Sequence, residues 1–524
     1  MGASRILICT TILLLLCASA SRAQTDKASV DDTGPPDPKR LPLPPDDYSP
    51  VAASTLNPGP LIEPKFPTLS SPAAVIRLEA KYNQAISLRD ALQYTMDYNL
   101  PIRISRESWR YQKYQLVSQL AGFIPSFSTG YNLTGSHIQP NTNSHAKVFT
   151  AEVDYPVFQG GAVFYGSLAQ YYRNRGWQRA YDVTVNDALL DTYNKYTDLQ
   201  LQNALLRVRA RSLRLSEYAL EVSNERYKAG FSTLYNVMQA RTQAGFDRTA
   251  FMEQEAATRQ SALSLAYALD LPLEGNLIPA DSVLRETSLI GPELTVPDLI
   301  NLAFNRRPDL RQYELFRLAA ARTVQASSAA LYPQVSFFTD YTHANTTTSG
   351  SSGSLTDIIS SATTLGSAGV FPGNIKTFQA GMNLTWSLSN MGVLSAANII
   401  SAKALSRQAM LQANQALQTV DRDVRTGYIS YETSKQRAID SAAAASASKD
   451  ALKFAHVRLR SGVGSNLETI QAQRAYIGAM DIQARAITTA NQAQASLLHA
   501  AGLISVDTLT DGFHGKAETP QRSK

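Results

Sequence analysis

The chain has 524 residues, a formal net charge of +6 and two cysteines, Cys9 and Cys17. Both cysteines lie near the N-terminus, so the remaining sequence has neither disulfides nor thiol chemistry. A net charge this small over so long a chain gives no reason to expect a nucleic-acid partner.

The N-terminus has the features of a secretory signal peptide. A short apolar run follows an arginine and ends in small residues, as in signal peptides rather than membrane spans. We predict a signal over residues 1–23, with cleavage after Ala23 favoured over Ala20. Its removal takes away two arginines and lowers the net charge from +6 to +4. Leu16 argues against acylation of Cys17, because a small residue should precede a lipidated cysteine.

A proline-rich stretch over residues 24–73 is predicted to be a disordered linker. The chain then repeats itself, once over 74–275 and again over 276–505, and a disordered tail is predicted for 506–524. For example, RYKAGFSTLYNVMQA near the end of the first copy parallels RLRSGVGSNLETIQA in the second. Each copy reads as helix, strand, strand, long helix and returning helix, which indicates a duplicated fold.

Four segments alternate apolar and polar side chains, which is the pattern of strands with one apolar and one polar face. They lie at about 126–134, 148–158, 334–342 and 377–388. Each is about 10 residues long, the length of a tilted strand that crosses a bilayer, and has aromatic residues near its ends. The alternative is an ordinary half-buried sheet beneath the protein's own helices.

Outside the signal, no segment offers roughly 20 unbroken apolar residues, so membrane insertion would have to use the strands. Four strands cannot close a barrel, and open edges in lipid leave backbone groups unpaired. Two copies would supply eight strands and three would supply 12. Small polar side chains on one strand face, such as Ser128 and Asn383, suit a water-filled bore and favour three copies.

Two very long helices are predicted, from Ala162 to Lys228 and from Val393 to Arg460. Apolar and small residues recur in the first at coiled-coil spacing. Each helix ends in a tight glycine turn that leads into the returning helix. Glycine in the left-handed conformation and nearby cations explain both turns as ordinary helix C-caps.

The sequence offers no catalytic or metal-binding pattern. The six histidines have no metal-ligand spacing, and neither a phosphate-binding loop nor a nucleophile elbow occurs. We therefore expect neither an enzyme nor a cofactor. A structural or adhesin-like coiled-coil protein of the cell envelope, without a pore, is the alternative to a channel.

The segment YPVFQGG at 155–161, the paired R-x-x-x-G turns and the twofold repeat together resemble the TolC-like outer-membrane efflux family, also called outer membrane factors. The resemblance implies an α+β membrane protein of the bacterial outer membrane that extends into the periplasm. It implies a homotrimer in which four strands per chain form a 12-stranded barrel above a coiled-coil α-helical tunnel. Such a trimer is a passive exit duct for efflux or type I secretion.

The resemblance also implies partners and site residues. The partners are a periplasmic adaptor, an inner-membrane pump of the RND or ABC type, and outer-membrane lipid. Gly464 departs from the family, since some members have there a basic residue that helps to close the entrance. Cargo and ion selectivity stay open. The implied residues are Arg226, Gly230, Arg458 and Gly462 for adaptor docking, Glu468, Gln471, Asn236 and Gln239 for the periplasmic entrance, and Pro156, Gly160 and Gly161 for the strand-to-helix junction.

Overall fold

The computed structural model describes residues 83–138, 142–281, 283–291, 294–349, 373–387 and 389–513. The predicted signal peptide and the predicted linker lie outside these residues. In the part of the chain described, none of the helices has the length and hydropathy needed to cross a membrane.

The described elements repeat the order helix, helix, strand, strand, long helix, helix. In chain order they are β1 (Asn83–Ile86), α1 (Leu88–Tyr98), α2 (Leu100–Ala121), β2 (Ser126–Ile138), β3 (Thr142–Gln159), α3 (Ala162–Lys228), α4 (Leu234–Ala268), β4 (Asn276–Pro279), α5 (Val296–Arg306), α6 (Pro308–Ser328), β5 (Gln334–Ser349), β6 (Gly373–Thr385), α7 (Val393–Arg460), α8 (Asn466–Ala500) and α9 (Val506–Asp511). The bounds of α3 and α7 agree with the two long helices predicted from the sequence.

The single helix predicted at the start of each copy is instead a pair of helices with a break between them. Asn99 and Arg307 leave the helical conformation at these breaks, with ψ values of 124° and 123°. Each is followed within two residues by a proline, which disfavours continuation of the preceding helix. Asn99 is buried, and its side chain accepts from Ile102 N and donates to the Ala268 carbonyl.

The four long strands form one antiparallel sheet in the order β2-β3-β5-β6. All four extend beyond their predicted bounds: β2 and β5 begin as predicted and end four and seven residues later, whereas β3 and β6 begin six and four residues earlier. Residues 343–349 and 373–376, which lie between the predicted third and fourth strands, are therefore strand. Conversely, β6 ends at Thr385, so Trp386 lies just beyond the strand in which it was predicted.

The strand register places the alternating side chains in continuous rows. Phe127 lies opposite Val153, and the same row continues through Thr339 to Ala380 on β6. The neighbouring row runs through Ser128, Glu152, Asp340 and Gln379 and is polar throughout. One face of the sheet is thus mainly apolar and the other mainly polar. In the described part of the chain, β2 and β6 each have one edge without a partner strand.

A second, parallel sheet of two short strands joins β1 to β4 and was not predicted. The connector that follows β4 packs against α8 through two buried amide side chains. Asn491 accepts from Thr287 N at 3.0 Å and donates to the Arg285 carbonyl at 2.9 Å. Gln494 accepts from Leu289 N and donates to the Thr287 carbonyl, each at 2.8 Å. The two side chains thus satisfy backbone groups of the connector that a neighbouring strand would otherwise satisfy.

The prediction of disorder from residue 506 onward is wrong for the first part of the tail. Residues Val506–Asp511 form α9, which Ser505 and Thr508 cap reciprocally. Phe513 then bridges to Ile290 in the connector, and Leu509 is buried in the core. These contacts hold the segment in place. The rest of the predicted tail lies outside the described residues.

Candidate functional site: the hairpin turns and the strand-to-helix junction

Both long helices end in the same backbone motif. In the first turn, Gly230 has φ +78° and Phe231 N donates to the Arg226 carbonyl at 2.8 Å. In the second, Gly462 has φ +76° and Val463 N donates to the Arg458 carbonyl at 3.1 Å. This is the Schellman motif, in which a glycine in the left-handed conformation lets the last carbonyls of the helix find donors.

The second turn has a cross-turn ion pair that the sequence analysis missed. Arg458 Nε lies 3.0 Å from Glu468 Oε1. Ser465 caps α8 by accepting from Glu468 N at 3.1 Å, and this hydrogen bond positions the carboxylate in the first helical turn. Glu468 is therefore paired within its own chain. Its role at an entrance shared by several copies stays a prediction.

Gly464 has a steric reason to be glycine. A Cβ at this position would lie 3.0 Å from the carbonyl carbon of Arg458 and from Leu459 N, so the turn would have to shift. The backbone amide of Gly464 also donates to the Arg458 carbonyl at 2.9 Å. Substituting arginine here would strain the turn as well as add a charge.

The other predicted entrance residues do not form a cluster of direct contacts with Glu468. Gln471 is exposed on α8, whereas Asn236 and Gln239 are half-buried on α4. Asn236 Nδ2 donates to Ser232 Oγ at 3.2 Å, within its own turn.

The first turn differs from the second in its exposed apolar surface. Phe231 is 83% exposed and Tyr235 is 72% exposed, and Leu234 and Tyr227 are also exposed beside them. At the second turn the corresponding apolar residues are smaller, with Val463 at 73% exposure. Exposed aromatic side chains at a loop tip are typical of protein-binding surfaces.

A network of polar side chains on the helices next to the two turns connects α3 and α4 of the first hairpin to α8. Gln473 is buried and donates to the Ser212 carbonyl at 3.4 Å and to Ser216 Oγ at 3.3 Å. Ser216 also hydrogen-bonds Asp247 on α4. Both serines are buried on α3. Small polar residues at helix positions that are otherwise apolar are the sequence feature from which this network could have been predicted.

Arg474 extends the same connection. Its guanidinium donates to Gln243 Oε1 at 2.9 and 2.5 Å, and Gln243 Nε2 in turn donates to Asp247 Oδ2 at 3.1 Å. Separating α8 from the first hairpin would leave buried polar groups without partners, which is unfavourable.

His456 on α7 lies about one turn of helix before the second hairpin turn. Its pKa is lowered from the ordinary histidine value, first because the ring is partly buried and second because Arg460 lies nearby. The matching residue in the first copy is Asn224, which does not titrate.

At the strand-to-helix junction, a β-bulge precedes the two glycines. Pro156 pairs with Ser336 and Phe158 pairs with the adjacent Val335, so Val157 is an extra residue on β3. A bulge opposes two residues to one and turns the strand locally. Phe158 consequently lies on the apolar face of the sheet, opposite Val335. Alternation alone would have placed it on the polar face.

Gly160 and Gly161 have φ values of +60° and +86°. A Cβ on Gly160 would lie 2.4 Å from the Ala329 carbonyl oxygen, so only glycine fits at this close approach. The junction therefore depends on both conformation and space. Gly392, with φ +86°, occupies the corresponding position before α7.

Comparison with known proteins agrees with this architecture. Residues 299–503, less than half of the chain, match the family described as "Outer membrane efflux protein". The outer membrane channel CmeC of Campylobacter jejuni superposes with a TM-score of 0.66 over 79% of this chain and 85% of its own, at 14% identity. The fold is thus that of an outer-membrane channel protein.

Two curated relatives come from Pseudomonas. "Probable efflux pump outer membrane protein TtgC" of Pseudomonas putida is 25% identical over 54% of this chain and 53% of its own length. "Outer membrane protein OprJ" of Pseudomonas aeruginosa is 26% identical over 59% of each. The chain thus spans little more than half the length of these relatives. Residues 299–503 thus match the outer membrane efflux protein family, and both relatives are described as outer membrane proteins.

Proposed function

We propose that three copies of this chain form a passive outer-membrane duct, the exit channel of a tripartite efflux system. The observation that supports this most directly is the four-stranded sheet, with one apolar face, one polar face and two edges without partners in the described residues. In lipid, each unpaired backbone group costs several kcal/mol, so the edges need partner strands.

The strand directions allow copies to pair with one another. All three pairings in the sheet are antiparallel, so the edge strands β2 and β6 run in opposite directions. The β6 edge of one copy can then join the β2 edge of the next in the same antiparallel manner. Three copies supply 12 strands, enough for the polar row at Glu152 and Asp340 to surround water.

The helices also favour association between copies. α2 exposes Ile104, Tyr111, Tyr114 and Val117, and α7 exposes Leu405 and Leu411. Clusters of exposed large apolar side chains favour an interface with another chain. A trimer would bury it and continue the barrel as a helical tunnel.

The two hairpin turns, at Arg226–Gly230 and Arg458–Gly462, are proposed to dock a periplasmic adaptor that links the duct to an inner-membrane pump. Glu468, Gln471, Asn236 and Gln239 are proposed to line the entrance. The description of TtgC as part of an efflux pump favours efflux over type I secretion. Selection of cargo would then belong to the pump and adaptor.

Cysteine cross-linking tests the assembly, because both natural cysteines lie in the predicted signal. Asn132→Cys on β2 and Gln379→Cys on β6 place one thiol on the polar face of each edge strand. Oxidation of the double variant in outer-membrane fractions should yield linked trimers, whereas each single variant should yield no species larger than a dimer. Monomers alone from the double variant, together with a detergent-extracted mass of one chain, would contradict the proposal.

Conduction needs its own measurement. Purified protein in planar bilayers should give discrete conductance steps, and Glu152→Lys should change ion preference because its side chain lies on the polar row. A trimer without conductance would instead favour a structural envelope protein.

A further inference from the structure

A cavity of about 550 Å³ lies where the sheet meets the helices. It opens to one side and is lined by Gly122 and Phe123 after α2, the end of β3, the beginning of α3, the end of α6, and Tyr332. Its volume falls within the roughly 300–1,000 Å³ of small-molecule sites.

The wall of the cavity is aromatic and continuous with the apolar face of the sheet. Val157 and Phe158 line it from β3, and the bulge places Phe158 on the apolar face of the sheet. Phe164 and Tyr332 face the same space, and all four side chains are exposed. The aromatic wall thus continues from the apolar face of the sheet into the cavity.

The two junction glycines help to keep this space open. Gly160 and Gly161 line the cavity, and a Cβ on Gly161 would lie 3.2 Å from the ring of Tyr165. Since neither residue has a side chain, the floor of the cavity is backbone. The glycines therefore permit the tight turn and leave room beside it.

A cation lies next to the cavity, in contact with one of its lining residues. Gln325 on α6 lines the cavity, and Arg322 donates to its Oε1 at 2.9 Å. The structure gives Arg322 no carboxylate partner among the residues it describes. Arg322 lies roughly 9 Å along the helix before the end of α6 at Ser328, which is on the periplasmic side if the strands insert in the membrane as proposed.

We propose that this cavity binds one phospholipid of the periplasmic leaflet. An acyl chain lies against Phe158 and Tyr332, and the phosphate accepts hydrogen bonds from Arg322 and Gln325. The head group then points toward the periplasm, as the orientation of that leaflet requires. The inference rests on the proposed insertion of the strands. That proposal calls only for general lipid contact along the sheet, whereas this one assigns a single fixed lipid.

Native mass spectrometry of the full chain, purified from outer membranes in mild detergent, measures the retained lipid directly. One phospholipid per chain should persist through dilution into lipid-free detergent. Arg322→Gln should reduce the retained fraction about tenfold, in line with the loss of a hydrogen bond to a charged group. The matched control is Lys403→Gln, which removes an exposed helical cation outside the cavity and should change nothing.

A second pair of variants tests the aromatic wall. Tyr332→Ala should lower retention, whereas Phe378→Ala, which removes an exposed aromatic from the apolar face away from the cavity, should not. A phospholipid with a photoreactive group at the end of its chain, incorporated in phosphatidylethanolamine and phosphatidylglycerol nanodiscs, should label residues 157–165 more strongly than the strand positions near Phe378.

The outcomes separate the two proposals. Equal labelling at the cavity and near Phe378, or retained lipid insensitive to both cavity variants, overturns the fixed site while leaving strand insertion intact. Retention of lipopolysaccharide instead of phospholipid also overturns it. If neither region is labelled, strand insertion itself fails and the lipid site fails with it.

Discussion

The two hairpin turns share one backbone and present different surfaces. Each ends a long helix with a left-handed glycine and the same pair of Schellman hydrogen bonds. The first exposes Phe231 and Tyr235, whereas the second is tied internally by the Arg458–Glu468 ion pair and the Ser465 cap. The two turns thus have the same backbone geometry but differ in the side chains that they expose. We infer that the first turn is the main contact for a partner and the second the more self-contained element of the entrance.

The largest expected effect is on adaptor binding. The double variant Phe231→Ala/Tyr235→Ala removes the exposed aromatic pair and should weaken binding about 30-fold, because buried aromatic anchors contribute about 2 kcal/mol or more at interfaces. Biolayer interferometry with the detergent-solubilised protein and the proposed adaptor would measure this. Val463→Ala in the second turn should weaken binding much less.

Phe246→Ala serves as the control, because Phe246 is also exposed on α4 but lies away from the turn. Equal losses at both turns would remove the proposed division of roles.

The backbone of the two turns should respond alike. Gly230→Ala and Gly462→Ala each place a Cβ in the left-handed region, although nothing lies within 4 Å of either position. Each should lower the free energy of unfolding by about 1–2 kcal/mol, as measured by chemical denaturation followed by circular dichroism.

Gly245→Ala and Gly478→Ala are matched controls in the interiors of α4 and α8, where nothing lies within 4 Å of the added Cβ. They should instead raise stability by about 0.5–1 kcal/mol each. Destabilisation of the same size at all four positions would refute the conformational explanation.

The cross-turn ion pair should have a smaller effect. A double-mutant cycle with Arg458→Gln and Glu468→Gln should give a coupling energy of about 0.2–1 kcal/mol that falls as salt is added, since both side chains are well exposed. The corresponding cycle on Lys228 and Glu225, a pair within one helix at the first turn, should give about 0.2–0.5 kcal/mol. If the coupling energy at the second turn were not measurable, the Arg458–Glu468 ion pair would not stabilise this turn more than the first turn is stabilised.

The smallest effect concerns acid sensitivity. The pKa of His456 is lowered in the folded protein, so the unfolded chain takes up a proton more readily as the pH falls below about 6.5. The neutral ring therefore favours folding above that pH, and this contribution is lost as the pH falls through the folded pKa. Unfolding midpoints of the wild type and of His456→Gln should change in parallel above pH 6.5 or so and diverge below it. If the midpoints of the two proteins changed in parallel over the whole pH range, His456 would not be the cause of the acid sensitivity.

Local patterns predicted much of this architecture. Alternation predicted the four strands, coiled-coil spacing predicted α3, the internal repeat predicted α7, and the glycines marked both turns. The breaks at Asn99 and Arg307 had a signal as well, in the prolines that follow them. The parallel pairing of β1 with β4 had none, because strands of four residues separated by about 190 positions leave no local periodicity.

The site was harder to predict than the fold. The Arg458–Glu468 contact depends on how the turn folds back, and the hydrogen bonds of Gln473 join helices more than 250 residues apart in sequence. The bulge at Val157 also escaped alternation, since one extra residue reverses the faces after it. Sequence identified which segments mattered, while the contacts between them required three-dimensional geometry.

The amide pair Asn491 and Gln494 has a practical consequence for protein engineering. The connector over 285–289 looks in the sequence like a tolerant place for an epitope tag or a protease site. However, alternate backbone amides there are held by buried side chains of α8, and an inserted segment would shift them out of register. Tags in this connector should therefore reduce yield of folded protein, even though they would interrupt no helix and no long strand.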